Sequence, residues 1–190
     1  MNMQTATEED AGIVGKNFTV FALQRRVFER SNIGLIYVNK ESLALDEYQQ
    51  LFDPTAYNRL LGVDYNLNSA DGKWTGKVFY HRTFESAEVE KPYSFNAYLL
   101  YTDLHWSWTF SVQDVGKSFN PEVGFLPRAD FKRINPDVTY LFYPKSKLIN
   151  RHGPKLEFEG FWNETLGTTD RDINLGYIIR FNSIAELEIT

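Results

Sequence analysis

The segment Trp106–Gln113 constrains the fold of this chain most, because large apolar and small polar residues alternate along it without a break. Its sequence is WSWTFSVQ, with an aromatic or aliphatic residue at every second position. An alternation with a period of two residues places the apolar side chains on one face of a β-strand and the polar side chains on the other. We therefore expect this segment to be a strand of a two-faced sheet.

The same alternation recurs along most of the chain, and these segments lack the apolar spacing of a helix. The segments predicted to be strands lie near Phe18–Phe28, Asn32–Asn39, Arg59–Asn68, Lys73–Glu85, Ser94–Thr102, Trp106–Val115, Lys132–Tyr143, Lys155–Asn163 and Asp172–Thr190, the last with an expected bend near Asn182–Ser183. Their lengths suit tilted strands that cross a bilayer, which need roughly 9 to 11 residues. The sequence thus predicts an all-β fold, an antiparallel up-and-down meander of about nine long strands, as a single β-barrel-type region over residues 1–190.

Short and long connections alternate through the first six predicted strands. The short ones are Glu29–Ser31, Ser69–Gly72 and Asp103–His105, and the long ones are Lys40–Asn58, Ser86–Tyr93 and Gly116–Phe131. Outer-membrane barrels have short turns at one end and long loops at the other, so the alternation favours such a barrel. The connection Pro144–Pro154 is long where a short turn is due, and a soluble meander also has mixed loops. We further expect a helical turn in Leu43–Phe52.

Composition excludes several classes of function. The chain of 190 residues has no cysteine, so disulfides, thiolate metal sites and cysteine nucleophiles are impossible. Its net charge of -5 argues against nucleic acid as a partner, because nucleic-acid binding requires a basic surface. The segment Met1–Gly12 lacks the basic and apolar parts of a signal peptide, and no apolar run reaches the roughly 18 residues of a membrane-spanning helix.

No catalytic motif stands out, so we expect a protein without catalytic residues or cofactors. His81, His105 and His152 are scattered without the spacing of metal ligands, so we predict no metal site. Glu157 and Glu159 project from the same face of a strand. Carboxylate pairs serve glycoside hydrolysis, but a polar face toward a water-filled lumen is the simpler interpretation.

In a barrel the two faces of the strands have different environments. We expect the tryptophans Trp74, Trp106, Trp108 and Trp162 to lie on or near the lipid face. The polar positions are the candidate lumen-facing residues, namely Lys77, His81, Glu157 and Glu159, together with Ser107 and Thr109.

The densest irregular motif is Phe119–Arg128, with the sequence FNPEVGFLPR. Its two prolines and one glycine favour a rigid turn. The candidate site residues in this motif are Phe119, Asn120, Pro121, Glu122, Gly124, Phe125, Pro127 and Arg128. We expect Glu122 to pair with Arg128, and Phe119, Phe125 and Leu126 to pack inward. The segment is either a ligand-binding loop or a structural plug that connects two strands.

This motif also carries a family resemblance. Phe119–Arg128, preceded by a tryptophan-rich strand that ends in VQDVGKS, resembles a Gram-negative bacterial family, the domain of unknown function 5916. The stretches NMQT, NFTVFALQRRVFERSNIG and YNRLLGVDYNL agree, so the resemblance covers nearly all of Asn2–Ile189. It implies a predicted outer-membrane β-barrel that commonly follows a carbohydrate-binding module of the family-9 type. It supplies no catalytic residues.

The resemblance leads us to expect an internal slice of a longer protein, with the export signal and the carbohydrate-binding module upstream. With two free edges, such a slice would either need the rest of the barrel or curl into an imperfect half-barrel, because a closed barrel leaves no strand edge unpaired. The expected function is that of a non-enzymatic barrel segment in the bacterial outer membrane, which binds a surface ligand or serves in transport. The expected partners are outer-membrane lipid and, through the missing module, carbohydrate.

Two alternatives from other classes stay open. The first is a soluble all-β module that binds carbohydrate, in which Trp106, Trp108 and Phe110 are buried between two sheets. The second is a glycosidase that uses Glu157 with a distant carboxylate. The direction in which the alternating aromatic residues point distinguishes the barrel from the module.

Overall fold

A computed structural model describes residues 1–6, 15–43 and 57–190 of the chain. Within these residues, eleven β-strands form one open antiparallel sheet in which each strand pairs with its neighbours in chain order. The strands are β1 (Asn2–Gln4), β2 (Lys16–Val27), β3 (Ser31–Ser42), β4 (Tyr57–Asn68), β5 (Trp74–Glu85), β6 (Tyr93–Thr102), β7 (Trp106–Val115), β8 (Phe131–Tyr140), β9 (Ile149–Asn163), β10 (Gly167–Phe181) and β11 (Glu186–Ile189). The all-β class and the up-and-down antiparallel order are confirmed.

The predicted number of about nine strands was too low. The nine long strands β2–β10 are present, and the short strands β1 and β11 at the two sheet edges account for the difference. The segment Asp172–Thr190, predicted as one strand with a bend near Asn182–Ser183, belongs to two strands, because the chain reverses fully beside the expected bend, at Ile184. This residue has a positive φ of 72°, and the amide of Phe181 donates a hydrogen bond to the carbonyl of Ala185 over 2.9 Å.

The connection predicted at Pro144–Pro154 is also shorter than expected, because β9 begins at Ile149. Pro154 lies inside β9 opposite Tyr177 of β10. Gly153 lets β9 approach the end of β8 closely, since a Cβ atom there would lie 1.7 Å from the carbonyl oxygen of Tyr140. The helical turn predicted for Leu43–Phe52 lies outside the described residues, apart from Leu43. The described part of the chain contains no helix long and apolar enough to cross a membrane.

The sheet has two chemically different faces. We call the face that carries Trp106, Trp108 and Phe110 the apolar face. The opposite face carries Ser107 and Thr109, and the β7–β8 connection, residues 116–130, lies over it, so we call it the loop face. We call the sheet end with the β2–β3, β4–β5 and β6–β7 turns the short-turn end, and the other end the long-loop end.

The buried core is small and lies at the long-loop end of the loop face. Its buried apolar residues are Leu60, Val115, Phe119 and Phe131. Partly buried residues that pack against them are Ile36, Val38, Leu126, Ala129 and Phe161. This core therefore fastens the β7–β8 connection onto the sheet.

Asp103 organises the turn between β6 and β7 at the short-turn end. Its carboxylate accepts hydrogen bonds from the backbone amides of Trp106, over 2.7 Å, and His105, over 2.8 Å. The hydroxyl of Tyr101 donates to the same carboxylate over 2.8 Å. The hydrogen bond from the Trp106 amide, followed by those from Tyr101 and His105, lowers the pKa of Asp103 below its ordinary value.

We expect Asp103→Ala to lower the urea midpoint of unfolding at neutral pH, since the variant leaves the turn amides without their acceptor. A carboxyl group with a lowered folded-state pKa stabilises the protein above its unfolded-state pKa, and that contribution disappears as the pH falls through the folded-state value. The difference between the wild type and Asp103→Ala should therefore shrink between about pH 5 and pH 2. Asp103→Asn, which keeps an acceptor oxygen but does not titrate, is the control. A difference that is constant over this pH range would contradict the assignment.

Candidate functional site on the loop face

The β7–β8 connection is fixed to the strands beneath it by hydrogen bonds at Asn120. The backbone amide of Asn120 donates to the hydroxyl of Thr83 over 3.4 Å, and its side-chain amide donates to Glu85 over 3.0 Å. The side chain of Asn58 on β4 donates to the Asn120 carbonyl over 2.9 Å. These contacts, with the burial of Phe119, hold the connection in a defined position on the sheet.

Glu122 forms an ion pair with Lys40 of β3. Lys40 is only 5% exposed, so this contact places a charged pair beneath the connection. The predicted pairing of Glu122 with Arg128 was wrong. The guanidinium group of Arg128 instead lies over the rings of Phe131 and Phe161, at 5.5 Å and 5.8 Å from their centroids.

The inward packing predicted for the connection holds for Phe119 and Leu126 but is wrong for Phe125. Phe119 is 7% exposed and Leu126 packs against the core, whereas Phe125 is 89% exposed. The amide of Gly124 donates to the carbonyl of Pro121 over 2.7 Å. This tight turn comes directly before Phe125, whose side chain is exposed, whereas the next side chain, that of Leu126, packs against the core.

A cavity of about 410 Å³ lies between the connection and the sheet. Most of its wall is apolar and comes from the strands and from the connection, chiefly Ile36, Val38, Leu60, Phe79, Phe119 and Leu126. Polar side chains also reach it, namely Asn58, His81, Ser94, Gln113 and Glu122. Pro121, Gly124, Phe125 and Pro127 complete the wall, so the structure brings most of the predicted loop residues to one cavity.

A second cavity, of about 530 Å³, adjoins the first on strands β2–β5. Ile36 and His81 line both cavities, whereas Gln24, Asp64 and Lys77 line only the second. The polar side chains beside it form a hydrogen-bonded row across the strands: Gln24 donates to Asn32 over 2.6 Å, and Asn66 donates to Asn32 and to Asp64, each over 2.8 Å. Lys77 and His81 therefore share one polar groove.

Glycines make room for the polar side chains of this groove. A Cβ atom on Gly34 would lie 2.2 Å from a carboxylate oxygen of Asp64. One on Gly62 would lie 2.3 Å from Cδ2 of His81. The carboxylate and the imidazole consequently lie flat against the neighbouring strand, and any larger residue at either glycine would displace them.

Glu157 and Glu159 lie elsewhere on the loop face, and the structure does not bring them to Lys77 and His81. Arg133 donates from Nε to Glu159 over 2.6 Å. Lys155 contacts Glu157 and Glu188, each at 3.0 Å. Each glutamate of the predicted pair thus has a cationic partner, which lies on the same strand for Glu157 and on the neighbouring strand β8 for Glu159.

Sequence reasoning missed Ser94 and Gln113, because each occupies an ordinary polar position in an alternating strand. The sequence feature that pointed to this cavity is Phe79, because it is a large aromatic residue on the polar face of β5. In the described part of the chain, no three histidine, aspartate or glutamate side chains come together in a way that could hold a metal ion.

Comparisons of the chain with family models, with curated proteins and with solved structures find no match. The resemblance to the domain of unknown function 5916 family therefore stays a prediction.

Proposed function

We propose that this chain forms part of the wall of an outer-membrane β-barrel, with its apolar face toward lipid and its loop face along a water-filled lumen. Its role would be to bind a surface ligand or to let one pass, without enzymatic activity. Further strands would pair with β1 and β11 to close the barrel, because a closed barrel leaves no edge unpaired in lipid. The observation that carries this proposal is the uncovered apolar face.

Large apolar side chains remain exposed along the whole apolar face. Trp106 is 44% exposed, Phe110 42% and Leu175 73%, and no second sheet packs over them within the described residues. Others on this face with more than a third of their surface exposed are Phe21, Leu23, Ile33, Leu61, Val63, Val78, Tyr80, Phe84, Leu156, Ile173, Tyr177, Leu187 and Ile189. Soluble monomers rarely expose contiguous apolar patches of more than a few hundred Å², so an apolar environment must cover this face.

Two clusters of aromatic rings lie at the short-turn end, and together we call them the aromatic belt. In the first cluster, Trp74 lies 4.9 Å from Tyr101 and 5.2 Å from Trp108 between ring centroids. The second cluster runs from Trp106 on β7 through Tyr140, Phe142 and His152 to Tyr177 on β10, with neighbouring centroids 4.7 to 5.8 Å apart. Tryptophan and tyrosine concentrate where a membrane meets water, because their rings are apolar and carry a polar group.

The opposite border of the apolar face is charged. Glu41 lies 3.9 Å from Arg59, and Asp114 lies 3.8 Å from Lys132, all at the long-loop end. On β6 the apolar face runs from Tyr93 to Tyr101, which is roughly 27 Å at about 3.4 Å per residue. A strand tilt of about 40° from the bilayer normal reduces the height of the apolar face to roughly 20 Å, close to the apolar band of about 25 Å in outer-membrane barrels.

Two measurements test the proposal: the fractionation of the protein between membrane and solution, and the quenching of its tryptophan fluorescence from the lipid or from water. We expect the full chain to fractionate with membranes and to need detergent for extraction. All four tryptophans have apolar-face positions or lie at its border, so lipids with brominated acyl chains should quench most of the fluorescence, and aqueous acrylamide little of it. Recovery of a soluble monomer without detergent, with tryptophans open to acrylamide, would overturn the proposal and favour a soluble carbohydrate-binding module.

A further inference from the structure

We propose that the cavity beneath the β7–β8 connection is a binding site for an uncharged ring compound of about two fused rings with one polar edge. The inference goes beyond the proposed function, since it depends on the wall of this cavity and not on where the apolar face lies. It rests on the shape of the wall, on three polar side chains without partners, and on the balance of charge.

The wall contains a pair of stacked rings. The ring of Phe79 stacks on the imidazole of His81, with the centroids 4.6 Å apart and the planes 24° from parallel. Gly62 leaves the space in which this imidazole lies. Phe119 and Leu126 of the connection also line the cavity. A planar ring inserted here would pack against the edges or the outer face of this stacked pair, and aromatic rings favour such edge-to-face and offset arrangements.

Three polar side chains at this wall make no hydrogen bond to any other residue in the described part of the chain: His81, Ser94 and Gln113. His81 and Ser94 are directly opposite one another on β5 and β6, and Gln113 is on β7 beside them. Ser94 is only 5% exposed. None of their polar atoms is both buried and unpaired, so these atoms are open to the cavity, and a ligand with donor and acceptor atoms on one edge would hydrogen-bond to them.

The size and the charge of the cavity narrow the class of ligand. A cavity of about 150 Å³ accommodates benzene, and this one is about 410 Å³. Among the described residues, Glu122 supplies the one carboxylate of the wall, and it is already paired with Lys40. A charged ligand would therefore meet no unpaired opposite charge, whereas an uncharged one would fill an apolar space and hydrogen-bond at one edge, the usual composition of small-molecule sites.

The test uses 2-naphthol as the probe and histidine imidazole resonances as the reporter. The full chain is labelled with ¹⁵N-histidine, and His81 is assigned by the loss of its signal in His81→Gln. His105 and His152 are internal controls, because both lie at the far end of the strands, where His105 stacks on Tyr140 and His152 on Phe142. We expect 2-naphthol to shift the His81 signal in a saturable way and to leave the two controls unchanged.

Two comparisons test the polar edge. Gln113→Ala should weaken the binding of 2-naphthol by about five- to tenfold, the loss typical of one neutral hydrogen bond. Ser111→Ala, on the same face of β7 but outside the cavity, should bind as the wild type does. Naphthalene, which lacks the hydroxyl group, should bind more weakly than 2-naphthol to the wild type. An unshifted His81 signal, equal shifts of all three histidines, or equal affinities of the two alanine variants would overturn the proposal.

Discussion

Replacing Phe110 by lysine is expected to block assembly of the chain in a bilayer, whereas replacing its neighbour Ser111 by lysine is expected to leave assembly intact. Both residues are in β7, and their side chains point to opposite faces of the sheet. Phe110 is opposite Leu99 of β6 and Pro136 of β8, in the middle of the apolar face. A lysine near the bilayer midplane on the lipid side of a barrel costs about 2 to 4 kcal/mol.

The measurement is the folding of each variant into lipid vesicles over a series of urea concentrations. Phe110→Lys should move the folding midpoint by the equivalent of about 2 to 4 kcal/mol, while Ser111→Lys, which places its charge in the water-filled lumen, should change it by less than about 1 kcal/mol. Equal midpoints for Phe110→Lys and the wild type would show that this face does not contact lipid. An equally large shift of the folding midpoint for Ser111→Lys would show that the loop face does not contact water.

Alternation along the strands was sufficient to predict the sheet and its two faces. Each residue of Trp106–Gln113 lies on the face that its position in the pattern predicts, because the side-chain period of a strand is fixed by backbone geometry. The short strand β1 could not be found this way, because Asn2–Gln4 is too brief to show a period. Pro154 marked a false boundary, since proline usually ends a strand, yet here it continues β9.

The site was harder to predict than the sheet, because its contacts join distant parts of the chain. Nothing in the sequence near Glu122 indicates that Lys40 is its partner, since the two are brought together only when β3 lies beneath the connection. Arg128, the partner expected from the sequence, lies over two aromatic rings instead. By contrast, Phe79 could be recognised as an exception on the polar face, and its ring forms part of the cavity wall.

Two phenylalanines of the β7–β8 connection are expected to differ greatly in their effect on its stability when each is replaced by alanine. Phe119 is buried in the core and Phe125 is exposed to solvent. Truncating a buried phenylalanine to alanine costs about 3 to 5 kcal/mol, whereas exposed substitutions usually change stability by less than about 0.5 kcal/mol. We therefore expect Phe119→Ala to release the β7–β8 connection from the sheet, and Phe125→Ala to leave it in place.

Trypsin digestion of the folded protein measures this release, because Lys117 and Arg128 both lie in the connection. Since each 1.4 kcal/mol changes an equilibrium tenfold, a loss of about 3 kcal/mol should raise the open fraction, and the cleavage rate at Lys117 and Arg128, roughly a hundredfold. Phe125→Ala should be cleaved at the wild-type rate. Similar rates for both variants would mean that Phe119 does not hold the connection. A hundredfold rise with an unchanged urea midpoint would mean that the connection opens independently of the sheet, as expected for a segment fastened by a small local core.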